Sequence, residues 1–238
     1  MAIYNFRDAS IFYGDTDISA FANQVQIDLA ADSLDSTTFG QTFRTRVGGL
    51  VDGTVTASGF LDNATGDPDD HLFSQLATQG VLSVAPVATV SGGIAYMMRV
   101  REFMYRPGGN VSELHGFAID AKVSDGIGAV RGTIGLHKTA RTVTGNGTAY
   151  QVGAVSATQK MHAALHVFAG TASTLDVKVR SDNVEAMSSP VDQITFTQAS
   201  GATSEYGSVS GAITDDWWQV SYTIGGGTWT FAVILGIR

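Results

Sequence analysis

His162 and His166 stand four residues apart. On a strand, where side chains alternate, that spacing puts both imidazoles on one face, in reach of a shared metal ion. A third ligand would have to come from elsewhere, and the spacing specifies neither His115 nor His137 for it. The plainer reading is a pair of half-buried histidines on a strand of a packed sheet. Asp62, Asp67, Asp69 and Asp70 form a second cluster, around a turn that contains Gly66. Hard oxygen ligands in a loop can hold calcium, but the twelfth-position Glu of the EF-hand loop is missing. Helix capping accounts for Asp67, Asp69 and Asp70 without an ion, and Asp15 and Asp17 read as turn residues.

Nucleophilic and phosphate chemistry find little support. The chain has no Gly-x-Ser-x-Gly elbow, no Gly-rich loop ending in Lys-Ser/Thr and no His-Glu-x-x-His. Gly145-Asn146-Gly147 is better read as a turn than as part of a dinucleotide fingerprint. Paired carboxylates of a glycosidase meet only in three dimensions, so the sequence leaves them open. Trp217, Trp218 and Trp229 invite comparison with a sugar-stacking platform. Alternation sends Trp217 and Trp218 to opposite faces, so at least one enters a core, and Trp229 aligns with Phe231, Val233 and Leu235. The expectation is no catalytic residue, no metal and no cofactor.

These side chains sit on a chain of 238 residues that is 44% apolar, long enough for one large or two medium domains with a sizeable core. Gly is abundant, with 28 residues against 4 Pro, and Thr is frequent, which favours strands and turns over helices. No apolar run approaches the ~18 residues that span a bilayer as a helix. Residues 1–7 show no basic segment followed by an apolar one, so no secretory signal is expected. The chain has no Cys, which excludes disulfides and thiolate metal sites and fits assembly in a reducing cytoplasm. Net charge is −8, and Lys and Arg are never clustered, so a tight grip on nucleic acid is not expected. An acidic surface lets a polyanion pass without sticking.

Val25, Ile27 and Leu29 alternate with Gln26 and Asp28, which predicts a half-buried strand over residues 23–31. Residues 54–61 read as a second strand. The stretch between has no clean period, and residues 34–49 read as a long loop, a kind of segment that is often functional. One helix is expected from Asp67 to Gln79, with Asp67 as N-cap, Pro68 in its first turn, Leu72, Phe73 and Leu76 as an apolar stripe and Gly80 as C-cap. Strands follow over 81–90 and 94–105, the latter with Ile94, Tyr96, Met98 and Val100 on one face. It forms a hairpin with 114–123, where Phe117, Ile119 and Ala121 share a side. Residues 126–154 are ambiguous. Five strands are expected after residue 155, over 163–168, 175–180, 193–197, 217–223 and 228–237, with turns between them, the pattern of a β-sandwich.

Several segments together resemble the major tail tube proteins of long-tailed, siphophage-type bacteriophages. They are Ile18-Ser19-Ala20-Phe21, residues 25–29, 34–40, Gly49-Leu50, 59–62 and the helix, and in the second half 164–167, 174–182, 194–196, 213–218 and 231–237. The resemblance implies a mainly β fold: a tail-tube β-barrel or sandwich with one flanking helix in residues 1–155, and a C-terminal β-sandwich, decorating or ring-reinforcing, in 156–238. It implies a structural virion protein whose rings, of six copies, stack into a tube that DNA passes through without specific binding. The inter-ring loop would include Asp35, Thr37, Thr38, Arg44 and Arg46. Gln26, Asp28 and Thr56 would face the lumen, and Asp67, Leu72, Phe73 and Leu76 would belong to the flanking helix. Partners would be further copies, the tape measure and the tail terminator, with no membrane. The location would be the virion tail, assembled in the host cytoplasm. A carbohydrate- or receptor-binding tail or baseplate module is the alternative, motivated by the aromatic second half.

Overall fold

The computed structural model describes residues 8–61, 68–87, 90–170 and 173–238. Its strands are β1 (Ser10–Tyr13), β2 (Thr16–Asp17), β3 (Ala22–Asp35), β4 (Arg46–Phe60), β5 (Gln79–Ala85), β6 (Ile94–Gly108), β7 (Gly116–Val123), β8 (Val130–Arg141), β9 (Gly145–Asn146), β10 (Tyr150–Gln151), β11 (Lys160–Gly170), β12 (Leu175–Asp182), β13 (Val191–Thr195), β14 (Thr203–Ser210), β15 (Trp217–Ile224) and β16 (Trp229–Ile237), with one helix, α1 (Pro68–Gln75). The fold is mainly β and its strand pairings are antiparallel. The chain forms two compact units. One holds residues 1–21, 80–99 and 129–238; the other holds 22–79 and 100–128. Residue 155, where the sequence suggests a soft boundary, lies within the first.

The first unit is a sandwich. One sheet runs in the order β14-β11-β16-β8-β6-β5-β1-β2, and the other in the order β10-β15-β12-β13 with β9 also on β15. Alternation in β12 turns Leu175, Val177 and Val179 inward, while β16 supplies Trp229, Phe231, Val233 and Leu235. Trp218 and Trp229 are fully buried, and each indole N–H donates to a backbone carbonyl, of Gly153 at 2.8 Å and Gly226 at 3.2 Å. Burial of rings this large without such a partner would leave a donor unsatisfied. All five strands expected after residue 155 are present. The sequence misses β14, because Thr203–Ser210 is a largely polar strand that, among the described residues, pairs only with β11 and has no strong apolar alternation.

The second unit is built on the sheet order β3-β4-β7 with the later half of β6. Val55 and Ala57 of β4 and Phe117, Ile119 and Ala121 of β7 are buried on one face. The expected hairpin is present as β6 and β7, with β6 running on through Gly108, which pairs with Gly116. Leu72 of α1 is fully buried.

Four expectations change. The irregular stretch shrinks to residues 36–45, because β3 and β4 stay paired out to Asp35↔Arg46. The far half of this hairpin buries neither face, so there is no period to read there. The helix ends at Gln75, not Gln79. Ala77 takes the left-handed turn at φ 63° and its N–H bonds the carbonyl of Glu102 at 2.8 Å, so tertiary pairing ends the helix, and Gly80 lies in β5. Phe73 and Leu76 are exposed, which leaves Leu72 alone of the expected stripe in the core. In β6 the buried face changes between Met97 and Met98, both fully buried, where the strand leaves its pairing with β8 and takes up β7. Ile94 and Tyr96 therefore do not share a buried face with Met98 and Val100.

Gly132 lies against the backbone of β16, and a Cβ there would come within 1.9 Å of the Leu235 carbonyl oxygen. A Cβ at Gly48 would meet nothing within 4 Å. Gly132→Ala is expected to cost roughly 1–3 kcal/mol, the range of overpacking a tight site. Gly48→Ala should leave thermal unfolding unchanged. Paired melting curves of the two variants check the contrast.

Candidate functional site

Sequence alternation in β3 and β4 generates two faces on the second unit. Gln26 pairs with Thr56 and Asp28 with Thr54, and Thr56 pairs in turn with Asp120 of β7, Thr54 with Lys122. Cross-strand partners share a face. The residues singled out for a lumen, Gln26, Asp28 and Thr56, therefore sit together on one polar sheet face. The Gln26 amide donates to the Asp28 carboxylate at 2.8 Å. Val25, Ile27, Val55 and Ala57 form the opposite face. The unit carries twelve of the chain's acidic residues against five basic ones, a net of −7 out of −8.

Beyond Ala30 the hairpin becomes an arm. The residues of β3 from Leu29 to Asp35 are exposed, as are those of β4 from Arg46 to Gly48. The tip is held by short-range bonds. Asp35 accepts from the Thr37 N–H at 2.9 Å and its hydroxyl at 2.5 Å, and these two bonds hold the Asp35 carboxyl below the usual carboxylate range. The Thr37 hydroxyl in turn accepts from the Thr45 N–H at 3.1 Å. Arg44 lies 4.0 Å from Asp35, and Arg46 donates to Ser33 at 3.0 Å. Asp35, Thr37, Thr38, Arg44 and Arg46 thus all belong to the outer part of one arm.

The arm is also apolar. Phe39 is fully exposed, Phe43 is 85% and Leu50 83% exposed, and Leu29, Leu34, Val47 and Val51 are exposed as well. Folding alone does not put large apolar side chains in water in this density. Most of them lie in the stretch between the two expected strands, which has no clean period, although Phe39, Phe43 and Leu50 there are a signal in themselves; Leu29, expected on the half-buried side of residues 23–31, is exposed instead. β3 pairs with β4 alone, so its other edge is open among the described residues.

The remaining sites resolve differently. His162 and His166 are both buried, on a strand as expected, but His166 is fully engaged. Its Nδ1–H donates to the Gly14 carbonyl at 2.7 Å, which leaves Nε2 to accept from the Ser83 hydroxyl at 2.8 Å. No ring nitrogen is left for a metal, and no group of three metal-binding side chains occurs among the described residues. Burial pushes the His166 pKa down to about 4, against smaller upward pulls from the Gly14 carbonyl, Asp17 and Asp15. His115 is exposed, and His137 bonds Ser91 at 3.0 Å. Asp17 pairs with Lys138 at 2.5 Å and accepts from Ser19, so it is more than a turn residue. Asp62 and the expected N-cap Asp67 lie outside the described residues. Asp69 accepts from the Tyr105 hydroxyl; burial and then that bond raise the Tyr105 pKa above the ordinary phenol value. Trp217 is half-buried.

No protein-family model matches the chain, and no curated protein matches it by sequence. Among solved structures it is similar to a chain of the virion of a native gene transfer agent particle, at 12% identity and a TM-score of 0.40, over 53% of this chain and 98% of that one. It is similar to a chain of the tail of an empty gene transfer agent particle with C6 symmetry, at 12% identity and a TM-score of 0.39, over 52% and 96%. It is also similar to the Dit protein of phage SPP1, described as a paradigm of the hub adsorption apparatus in phages infecting Gram-positive hosts, at 11% identity and a TM-score of 0.36, over 98% and 100%. These neighbours are components of virions or tails; likeness this distant assigns no function. No helix among the described residues is long and apolar enough to cross a membrane.

His166 gives a pH dependence with a definite sign. Its folded pKa of about 4 lies below its ordinary 6.5, so the unfolded chain binds the extra proton. Its contribution is fully present above pH 6.5 and is lost as the pH falls toward 4. Between those limits the loss should be about 3 kcal/mol. Urea unfolding at pH 7 and pH 4.5 should show a steeper loss for the native chain than for His166→Gln.

Proposed function

We propose that this chain is a structural virion protein that assembles with copies of itself into stacked rings, six to a ring, forming a tail tube for DNA. The observation that carries this reading is the β3–β4 arm. It combines an open strand edge with exposed Phe39, Phe43 and Leu50. Both features are costly to leave in water and are satisfied by a second backbone and a second apolar surface. An identical copy supplies both. A head-to-tail contact of this kind generates rings where its rotation closes and filaments where it does not.

Within that reading the arm is the inter-ring element, with Asp35, Thr37, Thr38, Arg44 and Arg46 at its outer end. Arg44 is only 4.0 Å from Asp35 and strongly exposed, so its charge remains available to a neighbour. The polar face of Gln26, Asp28 and Thr56 lines the bore. The net −7 of this unit repels a phosphate backbone, which lets DNA slide without adhering. Tape measure and tail terminator proteins are the expected partners at the two ends and inside the tube.

Purified protein is expected to form rings or hollow tubes by negative-stain electron microscopy. Phe39→Ser with Phe43→Ser should abolish tubes. Since both side chains are already exposed, folding stability should change by less than about 0.5 kcal/mol. Arg44→Glu with Arg46→Glu should impair stacking while the circular dichroism spectrum stays native. Tubes that form unchanged in both variants would contradict the role of the arm.

A further inference from the structure

We propose that the first unit carries a binding cleft for a monoanionic sugar, between Arg131, Thr133, Tyr150 and Gln151. The cleft measures about 350 Å³ and is walled in addition by Gly92, Gly132, Val152 and Ile237. That is at the small end of the range for ligand sites, the scale of one or two sugar rings. All of these residues belong to the first unit, and the proposal does not depend on the assembly reading.

The chemistry of the lining selects the ligand. The Arg131 side chain makes no hydrogen bond or ion pair among the described residues, although the residue lines a concave surface. Its guanidinium is a ready fork for a carboxylate or a phosphate monoester. The neighbouring groups are held in place and still have capacity. The Gln151 amide nitrogen donates to Asp216 at 2.7 Å, which fixes the side chain and leaves its Oε1 to accept. The Thr133 hydroxyl donates to the Gly93 carbonyl at 3.1 Å and keeps its lone pairs. Tyr150 contributes a phenol and an aromatic ring. One cation beside several acceptors suits a ligand with a single negative charge and several hydroxyls. A polyphosphate or a nucleic acid would need more cations, and the acceptors would repel its further charges.

The backbone is shaped to make the room. Gly92 has φ +89°, and a Cβ there would come within 2.8 Å of the Tyr150 ring, so the ring rests directly on the main chain. Gly132, beside Arg131, is the position whose Cβ would strike the Leu235 carbonyl. Sequence reading finds none of this, because residues 126–154 have no clear period and their polar side chains match no motif.

The test is titration calorimetry of the full chain with sodium glucuronate, glucose and glycerol 3-phosphate. Glucuronate should bind at least about tenfold more tightly than glucose, the effect of one charge-assisted bidentate pair. Glycerol 3-phosphate, which carries close to two charges at about pH 7, should bind more weakly than glucuronate; tighter, Arg131-dependent binding of it would overturn the assignment of a monoanion. Arg131→Gln should weaken binding about tenfold or more, with Arg131→Lys in between, and Tyr150→Ala should weaken glucose and glucuronate alike. Equal affinity for glucose and glucuronate, or affinity untouched by Arg131→Gln in a natively folded variant, would overturn the proposal. Absence of any heat with all three probes up to about 50 mM would do the same, since one salt-bridged sugar ring is worth at least a millimolar affinity. Binding of a synthetic peptide of residues 22–35 in place of the sugars would also overturn it and assign the cleft to a second copy.

Discussion

An open strand edge is a row of backbone donors and acceptors waiting for a partner, and the second unit is organised around one. β3 is fourteen residues long and, among the described residues, pairs only with β4. Alternate N–H and C=O groups along it point away from β4. Edges of this length are normally blunted by lysines, prolines, bulges or a covering element. β3 has no Lys and no Pro, and its register shifts lie near its ends, between Ala22 and Gln24 and between Ala31 and Ser33. The eight residues between them form a regular edge. The exposed apolar arm continues from it, so one hairpin concentrates both kinds of unsatisfied surface.

The two units divide the physical work. The first has the larger core: two sheets close over Trp218, Trp229, Phe231 and a layer of Val, Leu and Ala, and the buried His166 has both ring nitrogens hydrogen-bonded. The second has a thinner core and most of the chain's negative charge. Self-repulsion of that charge destabilises a compact state and favours a geometry that spreads it over a long surface. Asp28 adds to that charge on the polar sheet face that it shares with Gln26 and Thr56.

Legibility in the sequence followed burial. Where one face packs, as in β7, β12 and β16, the period of two was plain and the strands lie where expected. Where both faces meet water the period vanished. The outer arm therefore reads as loop, and β14 leaves no periodic signal. Tertiary contacts were invisible too. The helix stopped short because Ala77 bonds Glu102, and no local rule for Gly80 could foresee it. Simple alternation is enough to put Gln26, Asp28 and Thr56 on one face, with Thr56 opposite Gln26. The histidine pair was legible as a strand feature. Its partners Gly14 and Ser83 lie far away in sequence and were not.

Hydrogen–deuterium exchange of the β3 amides, read in dilute monomer and in concentrated protein, tests the open edge most directly. In dilute protein the outward-facing amides of residues 24–31 should exchange with little protection, while those of β16 stay protected. In assembled protein the same amides should become protected by at least about a hundredfold, because a neighbouring strand or arm must close over them. Strong protection already present in the monomer, or exchange that stays fast in the assembly, would contradict the account.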